Sequence, residues 1–493
     1  MLTNPNPLVQ YLQKPASAFT KDDIIRYIEE RQIEMVNFRY TAEDGKLKTM
    51  NFMVTGHDEL DMILTSGERI DGNSVFPFLL INNSDLYLVP RYKTAFINPF
   101  SEIPSIDILC SFYGPSGEPF EASPVQILRN ARNEFYKSTG MQVRLMAELE
   151  FYVISDLTEG QVLSENGYQS AEPYSAHEKL RVEALKLIAR CGGKVRFGHA
   201  ETGSFIQNKK LFEQHEIEFA VSDPEDAADQ VSVAKWILRM LGLKYKVNVT
   251  FIPKIALNQP GSGMHIHFLV EDTGKNALIE QENLTTTSLK MVGGTLNLAA
   301  ALAAFANPTP VSYLRLMDGQ MTPNRICWGM QNRSTLIRVP LGWNRMESLS
   351  AHANQQNESW ADLSYRQTLE YRGSDGSANI YLLSAALIMT ILSGFMEPEL
   401  VKKADELKTD KNLFNTEEQA EFELLPQSCA EAADALEKQR GYFELDKVFP
   451  ASLIDHQIDR LRSFNDKTLI SNFKTYGENL EFGRLVESYL HFM

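Results

Sequence analysis

The chain has 493 residues, 43% of them hydrophobic and 23% charged, the balance of a soluble globular protein with room for a large core. A formal net charge of −16 excludes a nucleic-acid backbone or an anionic membrane surface as the main partner, because either needs a basic patch and no basic run is present. The four cysteines, Cys110, Cys191, Cys327 and Cys429, are widely spaced with no CxxC pair, and MLTNPNPLVQYLQKP lacks the basic segment and apolar core of a secretory signal, so a reducing, cytoplasmic location is expected.

In chain order, the pattern predicts a helix near Lys21 to Arg31, two strands within 33–54 around an Asp44-Gly45 turn, and a strand at 84–90, together a small α+β unit. GPSGEP places a domain boundary between Tyr113 and Phe120, giving domains 1–118 and 119–493. Ser123-Pro124 opens a helix that Gly140 stops. Then come a strand at 142–154, a helix at 175–191 opened by the capping pair Ser175 and Glu178, strands at 194–201 and 214–221, a helix from Asp223-Pro224 to near Gly242, and strands at 246–253 and 263–271. Residues 378–396, ANIYLLSAALIMTILSGFM, are about long enough to span a bilayer, but five polar side chains interrupt them and a fully buried core helix is expected.

The candidate chemistry gathers on strand faces. In MQVRLMAELEFYVI, alternation sets Glu148 and Glu150 side by side, and adjacent carboxylates repel unless a cation or bound protons relieve them. In PGSGMHIH, the same alternation puts His265 and His267 on one face and Met264 and Ile266 on the other. Metal ligation, phosphate contact and a bland histidine pair all suit that pattern. Glu201 in RFGHAETG, Glu216 and Glu218 in EQHEIEF, and Glu370 in QTLEYRGSDGSAN add carboxylates on predicted strands. Glutamates with one histidine suit hard divalent cations such as Mg²⁺ or Mn²⁺, and such a cluster facing phosphates implies phosphoryl transfer. Arg315, Arg333, Arg338 and Arg372 can each bind carboxylate or phosphate bidentately.

In this order and spacing, AELEFY, GSGMHIH, NPTPVSYLRL, QNRSTLIRVP and LEYRGSDGSANIYL resemble the glutamine synthetase family, class I in length and layout. The resemblance runs from about residue 35 to the C-terminus. It implies an α+β chain: an N-terminal β-grasp domain, then a catalytic domain with a curved antiparallel sheet, assembled as a homo-oligomer of stacked rings, a dodecamer, with active sites between neighbours. It implies that ATP phosphorylates the γ-carboxylate of glutamate and that an amine then displaces phosphate, with two or more Mg²⁺ or Mn²⁺ ions per site. Carried over by position, Glu150, Glu201 and Glu216 resemble ligands of a first cation, and Glu148, His265 and Glu370 those of a second, with Glu218 an alternative to Glu216. His267 corresponds to a phosphate-side contact, Arg315, Arg372 and Gly261 to glutamate contacts, and Arg333 and Arg338 to groups that stabilise the transferring phosphoryl. Asp71 resembles an aspartate lent by the neighbouring subunit to bind ammonium, and Tyr168 a tyrosine lining that pocket.

The departures sit on the acceptor side. Met321 stands where the family has a flap glutamate that helps take the ammonium proton, Asp318 where it has a proline, Pro260 where it has an asparagine covering glutamate, and Leu269 where a serine is common. Glu201 and Glu216 are spaced as if GSFIQNKK carried an insertion, and Phe414 replaces a tyrosine that regulated bacterial members modify. Methionine cannot attract ammonium or accept its proton. Asp71, Tyr168 and the family pattern nevertheless imply a glutamate-activating ligase with ammonia as acceptor, while Met321 and Pro260 point to a remodelled acceptor pocket. A γ-glutamyl amine ligase is the alternative, and a non-catalytic structural or regulatory paralogue a third reading.

Overall fold

The computed structural model describes residues 4–492 apart from 80–83, 159–166, 282, 318–320, 343–348, 357–362, 415–420, 477 and 479, so Asp318 lies outside the described residues. Two hydrophobic cores organise the chain. The first belongs to a β-grasp unit in which helices Pro7–Leu12, Lys21–Glu30 and His57–Ser66 accompany six strands: β1 (Met35–Thr41), β2 (Leu47–Met53), β3 (Glu68–Asp71), β4 (Asp85–Pro90), β5 (Phe96–Ile97) and β6 (Ser105–Tyr113). They pair in the order β2-β1-β6-β4-β3, with β5 also on β6, and only β1 and β6 run parallel. The helix Lys21–Glu30 begins with a reciprocal cap between Thr20 and Asp23, which satisfies two otherwise orphaned backbone N–H groups.

The second core lies beneath a curved sheet built from β7 (Gln142–Asp156), β8 (Val195–Gln207), β9 (Lys210–Phe219), β10 (Asn248–Thr250), β11 (Met264–Asp272), β12 (Lys275–Asn276), β15 (Trp328–Met330), β16 (Ile337–Val339) and β17 (Leu369–Tyr371). A small separate hairpin, β13 (Ile279–Glu280) and β14 (Asn283–Leu284), follows β12. The main order is β15-β16-β17-β11-β7-β9-β8, with β10 on β7 and β12 on β11, and every pair except β15–β16 is antiparallel. Met264, Ile266 and Phe268 enter the core, so the histidines between them face the other way.

Helices cover the core face. The helix Pro124–Thr139 follows Ser123 and ends where Gly140 takes φ 73°, a left-handed turn open to glycine. The apolar helix Ile380–Met396 is capped by Asn379 and buried from Ile380 to Gly394 against Pro124–Thr139 and Thr286–Asn297. It is the core helix the polar interruptions predicted, and among the described residues no single helix is long and apolar enough to cross a membrane.

Three local expectations need correction. The helix expected at 175–191 begins at Glu178, and the Ser175 hydroxyl makes no hydrogen bond. Instead the N–H groups of Ala176 and His177 donate to the Glu213 carboxylate at 3.0 and 2.9 Å, so an acid from β9 takes over the capping. The strands expected at 194–201 and 214–221 extend toward each other into one hairpin, turning at Asn208 and Lys209 with φ 50° and 61°. The strand expected at 246–253 is confined to Asn248–Thr250.

A buried charge cluster ties the two units together. Arg91, just after β4, donates to Glu225 at 2.5 Å and to both oxygens of Asp229 at 2.7 and 2.8 Å, on the helix Pro224–Tyr245. Arg129 donates to Glu225 twice, at 2.7 and 2.9 Å. Burial opposes the charge on Glu225, but Arg129, Arg91 and Lys93 hold its carboxyl far below the usual range.

Candidate active site

On the face of the sheet away from the core lies a cavity of about 930 Å³. Its floor follows from strand register. Glu148 of β7 pairs with Glu218 of β9 on one side and His265 of β11 on the other; Glu150 pairs with Glu216; Glu216 pairs onward with His199 of β8; and Glu370 of β17 lies between His267 and Arg338. Residues up to 222 positions apart in sequence are thus set in adjacent rows by alternation alone.

The donor atoms fall into three overlapping groups, each within 4.8 Å: Glu148, His265 and Glu370; Glu150, Glu216 and His265; and His199, Glu201 and Glu216. The first is the second-cation set expected from the sequence. The first-cation set is divided between the other two groups, which share Glu216. Glu218 belongs to none of them and pairs closely with Arg196. The long Glu201-to-Glu216 spacing is absorbed by a register shift in the β8–β9 ladder between Ala200 and Ser204.

Two glycines let the loop before β11 close on the site. A Cβ on Gly261 would stand 2.6 Å from the Pro253 carbonyl oxygen and 2.8 Å from Arg315 Cγ, and one on Gly263 would stand 2.5 Å from Arg315 Nη2 and 2.8 Å from His265 Nε2. The loop is then held by the Gly263 N–H donating to Glu150 at 2.6 Å, Gln214 Nε2 donating to the Gly261 carbonyl at 3.0 Å, and the Tyr152 hydroxyl donating to the Pro260 carbonyl at 2.8 Å.

The carboxylates divide into two electrostatic classes. Burial works against charge on Glu148, but His267 Nε2 at 2.9 Å and His265 Nδ1 at 3.1 Å hold it well below the ordinary value. Glu370, also buried, is held down chiefly by Arg372, which contacts one of its oxygens, while Arg338 Nη1 donates to the other at 2.8 Å. The β8–β9 acids behave oppositely. Burial and the Glu150 charge push Glu201 up to about 8, burial and Glu148 push Glu218 up to about 7, and Glu216 is raised well above its usual value by burial and all four neighbouring glutamates. Among the described residues, Glu201 Oε2 is buried without a hydrogen-bond partner. Crowded acids, one oxygen orphaned, and oxygen-rich donor triads are the chemistry a hard divalent cation satisfies.

The remaining expected residues divide by place. Arg315 is buried, with Nη1 donating to the carbonyls of Gly373 and Ser374 at 3.1 Å each, and it lines the cavity with Arg333, Arg338 and Arg372. His267 donates to or accepts from Thr368 at 2.8 Å through its second nitrogen. Tyr168, Pro260, Gly261, Leu269 and Met321 also line the cavity. Asp71 does not; it is exposed in the β-grasp unit, accepting from Ser74 at 2.6 Å and from the Asn73 N–H at 3.0 Å. Phe414 is half-buried outside the cavity lining.

Sequence reading missed His199 and Gln214. His199 Nε2 is 3.2 Å from Glu216, and its ring meets Tyr168 edge-on at 5.2 Å. Its signal was available, since it stands two residues before Glu201 on the same strand. Gln214 bridges Glu150 and Gly261, a role no spacing announces.

Residues 121–463 match the model of the glutamine synthetase catalytic domain, and residues 32–115 that of the glutamine synthetase beta-grasp domain. The chain belongs to the glutamine synthetase family. It is accordingly an enzyme of the glutamate–ammonia ligase type, in a family that works with ATP and divalent cations. The glutamine synthetase of Thermotoga maritima is 29% identical over 481 residues, 94% of this chain and 99% of that protein. That of Pyrococcus horikoshii is 30% identical over 418 residues, 83% of this chain and 85% of that protein. Among solved structures, Plasmodium falciparum glutamine synthetase, determined by cryo-electron microscopy, aligns with a TM-score of 0.76 at 20% identity, covering 95% of this chain and 99% of that one. Ligand-free apo GmaS aligns with a TM-score of 0.73 at 19% identity, covering 94% and 98%. At these identities the structural likeness speaks to the fold.

Proposed function

We propose that this glutamine synthetase family member transfers the γ-phosphoryl of ATP to the γ-carboxylate of glutamate, and that ammonia then displaces phosphate to give glutamine. The observation that carries the activation half is the convergence of Glu148, His265 and Glu370 donor atoms within 4.8 Å, with Arg338 and Arg372 directly against Glu370. In this reading Glu148, His265 and Glu370 hold one divalent cation and Glu150, Glu216 and Glu201 the other. Bound there, the cations would neutralise phosphate oxygens and polarise the group in transfer.

The chain's own groups do the rest. Arg333 and Arg338 stabilise charge on the transferring phosphoryl oxygens, where preorganised donors contribute most. Arg315, fixed by two backbone carbonyls, and Arg372 hold the glutamate carboxylate beside the Gly261 loop. His267, anchored between Glu148 and Thr368, faces the phosphates. The nucleophile's nitrogen forms the new bond to the γ-carbon, the C–O bond to phosphate breaks, and the proton that the nitrogen loses passes to the departing phosphate. Asp71 would receive the ammonium ion in the site of a neighbouring subunit, alongside that subunit's Tyr168, in a stacked-ring homo-oligomer. The functional division then falls near residue 118, with 1–118 lending Asp71 and 119–493 holding metal, ATP and glutamate in a cytoplasmic enzyme.

A larger amine as acceptor is favoured by one observation. Met321, 44% exposed and with φ 60°, borders the cavity with its sulfur accepting from the Thr202 hydroxyl at 3.7 Å, and supplies no acid there. Phosphate release with glutamate, ATP and Mg²⁺ against ammonia and a panel of amines tests the assignment, with Met321→Glu beside the parent. Ammonia-dependent release supports the first reading, and Met321→Glu should then raise ammonia use. Release only with larger amines establishes the second, and none with any acceptor refutes catalysis.

A further inference from the structure

A second cavity, of about 430 Å³, lies between the β1–β2 turn, the helix Pro224–Tyr245, β10 and His491 near the C-terminus. Among the described residues its ionisable lining consists of Lys46, Lys235, Arg239 and His491, with no carboxylate. Trp236, Met240, Leu243 and Val249 supply apolar walls. In a chain of net charge −16, an acid-free pocket with four basic side chains is a local inversion of the overall charge.

Two of the basic groups are deeply placed, and burial pushes Lys235 down to about 7. Lys235 is buried and donates to the Gly376 carbonyl at 2.7 Å. The acid that acts on it, Asp375, already accepts from Asn307 at 2.9 Å and from the Ser377 N–H at 2.9 Å. Arg239 Nη1 donates to the Val249 carbonyl at 3.1 Å and meets His491 Nδ1 at 3.0 Å, and among the described residues Nη2 is buried with no partner. Burial lowers the Arg239 pKa to about 10, with no carboxylate opposing the shift. Arg239 also stands 5.2 Å over the Phe251 ring, which fixes the plane of its guanidinium fork.

We propose that this cavity is a binding site, separate from the catalytic one, for a small carboxylate with an apolar body, such as an aryl- or alkyl-carboxylic acid. The carboxylate engages the Arg239 and Lys46 side chains that line the cavity, and the body packs on Trp236, Met240 and Leu243. A bare inorganic anion would leave those apolar walls wet, so both halves of the ligand are specified.

The test is isothermal titration of the full chain with indole-3-propionate and with octanoate, in the presence of saturating glutamate, Mg²⁺ and a non-hydrolysable ATP analogue. The corresponding alcohols and inorganic phosphate serve as controls. The carboxylates should bind at least about tenfold tighter than the alcohols and than phosphate, and Arg239→Gln should remove that advantage. Leu243→Trp, at a position 74% exposed on the cavity rim, blocks the body without touching the core and should weaken carboxylates about tenfold even if Arg239→Gln fails to fold. Lys235 is left intact because its Nζ holds the segment 373–378, whose carbonyls at Gly373 and Ser374 hold Arg315. Carboxylates binding no better than alcohols, phosphate competing equally, no binding at all, or Leu243→Trp binding like the parent would overturn the proposal.

Discussion

Glu216→Gln and Glu218→Gln form a matched pair that tests the proposed placement of a cation on Glu216 rather than on Glu218. The two residues sit on the same face of β9, yet only Glu216 belongs to the donor groups, and it belongs to two of them. A unit charge at 4 Å is worth about 4 kcal/mol at an effective dielectric constant of 20, and about twice that toward a divalent ion. Removing Glu216 also relieves repulsion among Glu148, Glu150, Glu201 and Glu218, so the net loss is smaller. About 3 kcal/mol, or roughly 100-fold weaker cation binding, is expected. Glu218 is balanced by Arg196, and Glu218→Gln should change affinity by less than about fivefold. Titrating Mn²⁺ by electron paramagnetic resonance reads the affinity without requiring turnover. Equal losses in the two variants, or parent-like binding by Glu216→Gln, would refute the placement.

The raised acids make metal-free stability depend on pH. A carboxyl whose folded pKa is about 8 against an ordinary 4.5 contributes stability that is full below about 4.5 and is lost as pH rises through 8, so urea melts in chelator should show Glu201→Gln flattening the decline between pH 5 and 8. Added Mg²⁺ should stabilise the parent most at the alkaline end of that window, because cation binding needs the ionised form; an equal Mg²⁺ shift at pH 5 and pH 8 would count against this. The Glu225 cluster has the opposite sign. Its depressed carboxyl contributes stability above the ordinary value that is lost as pH falls below it, and Glu225→Gln, which leaves Arg91 and Arg129 short of a partner, should cost about 3 kcal/mol in denaturant melts and reduce the acid sensitivity.

Much of the candidate site's layout was legible because a strand's period is two. Glu148 with Glu150 and His265 with His267 needed only alternation, and their rows meet across β7 and β11 as the pattern implies. What alternation cannot give is which rows stand adjacent. Arg338 and Arg372, read as phosphoryl and glutamate contacts, both also brace Glu370, a link that depends on β16 and β11 flanking β17. His199 was overlooked because a lone histidine beside an acid is unremarkable until Glu216 arrives from the next strand. Ser175 followed by Glu178 satisfied a local capping rule, yet Glu213 on a neighbouring strand reached those N–H groups first, and tertiary contact overrode local preference. The Arg91 clamp joins residues about 130 positions apart, with no local signature.

The irregularity between Ala200 and Ser204 acts as a length buffer. On the inner side of it the ladder resumes with His199 opposite Glu216, while beyond it Ser204 to Gln207 and Lys210 to Glu213 extend as a hairpin arm, its second strand also paired with β7, ending in two left-handed residues. Because this slip lies between the arm and the acids, residues can be gained or lost at the arm's tip in pairs without turning a single carboxylate away from the cavity. The arm is thus a tolerant handle on an intolerant site: a place where the chain can diverge, or accept an inserted label, next to chemistry that cannot move.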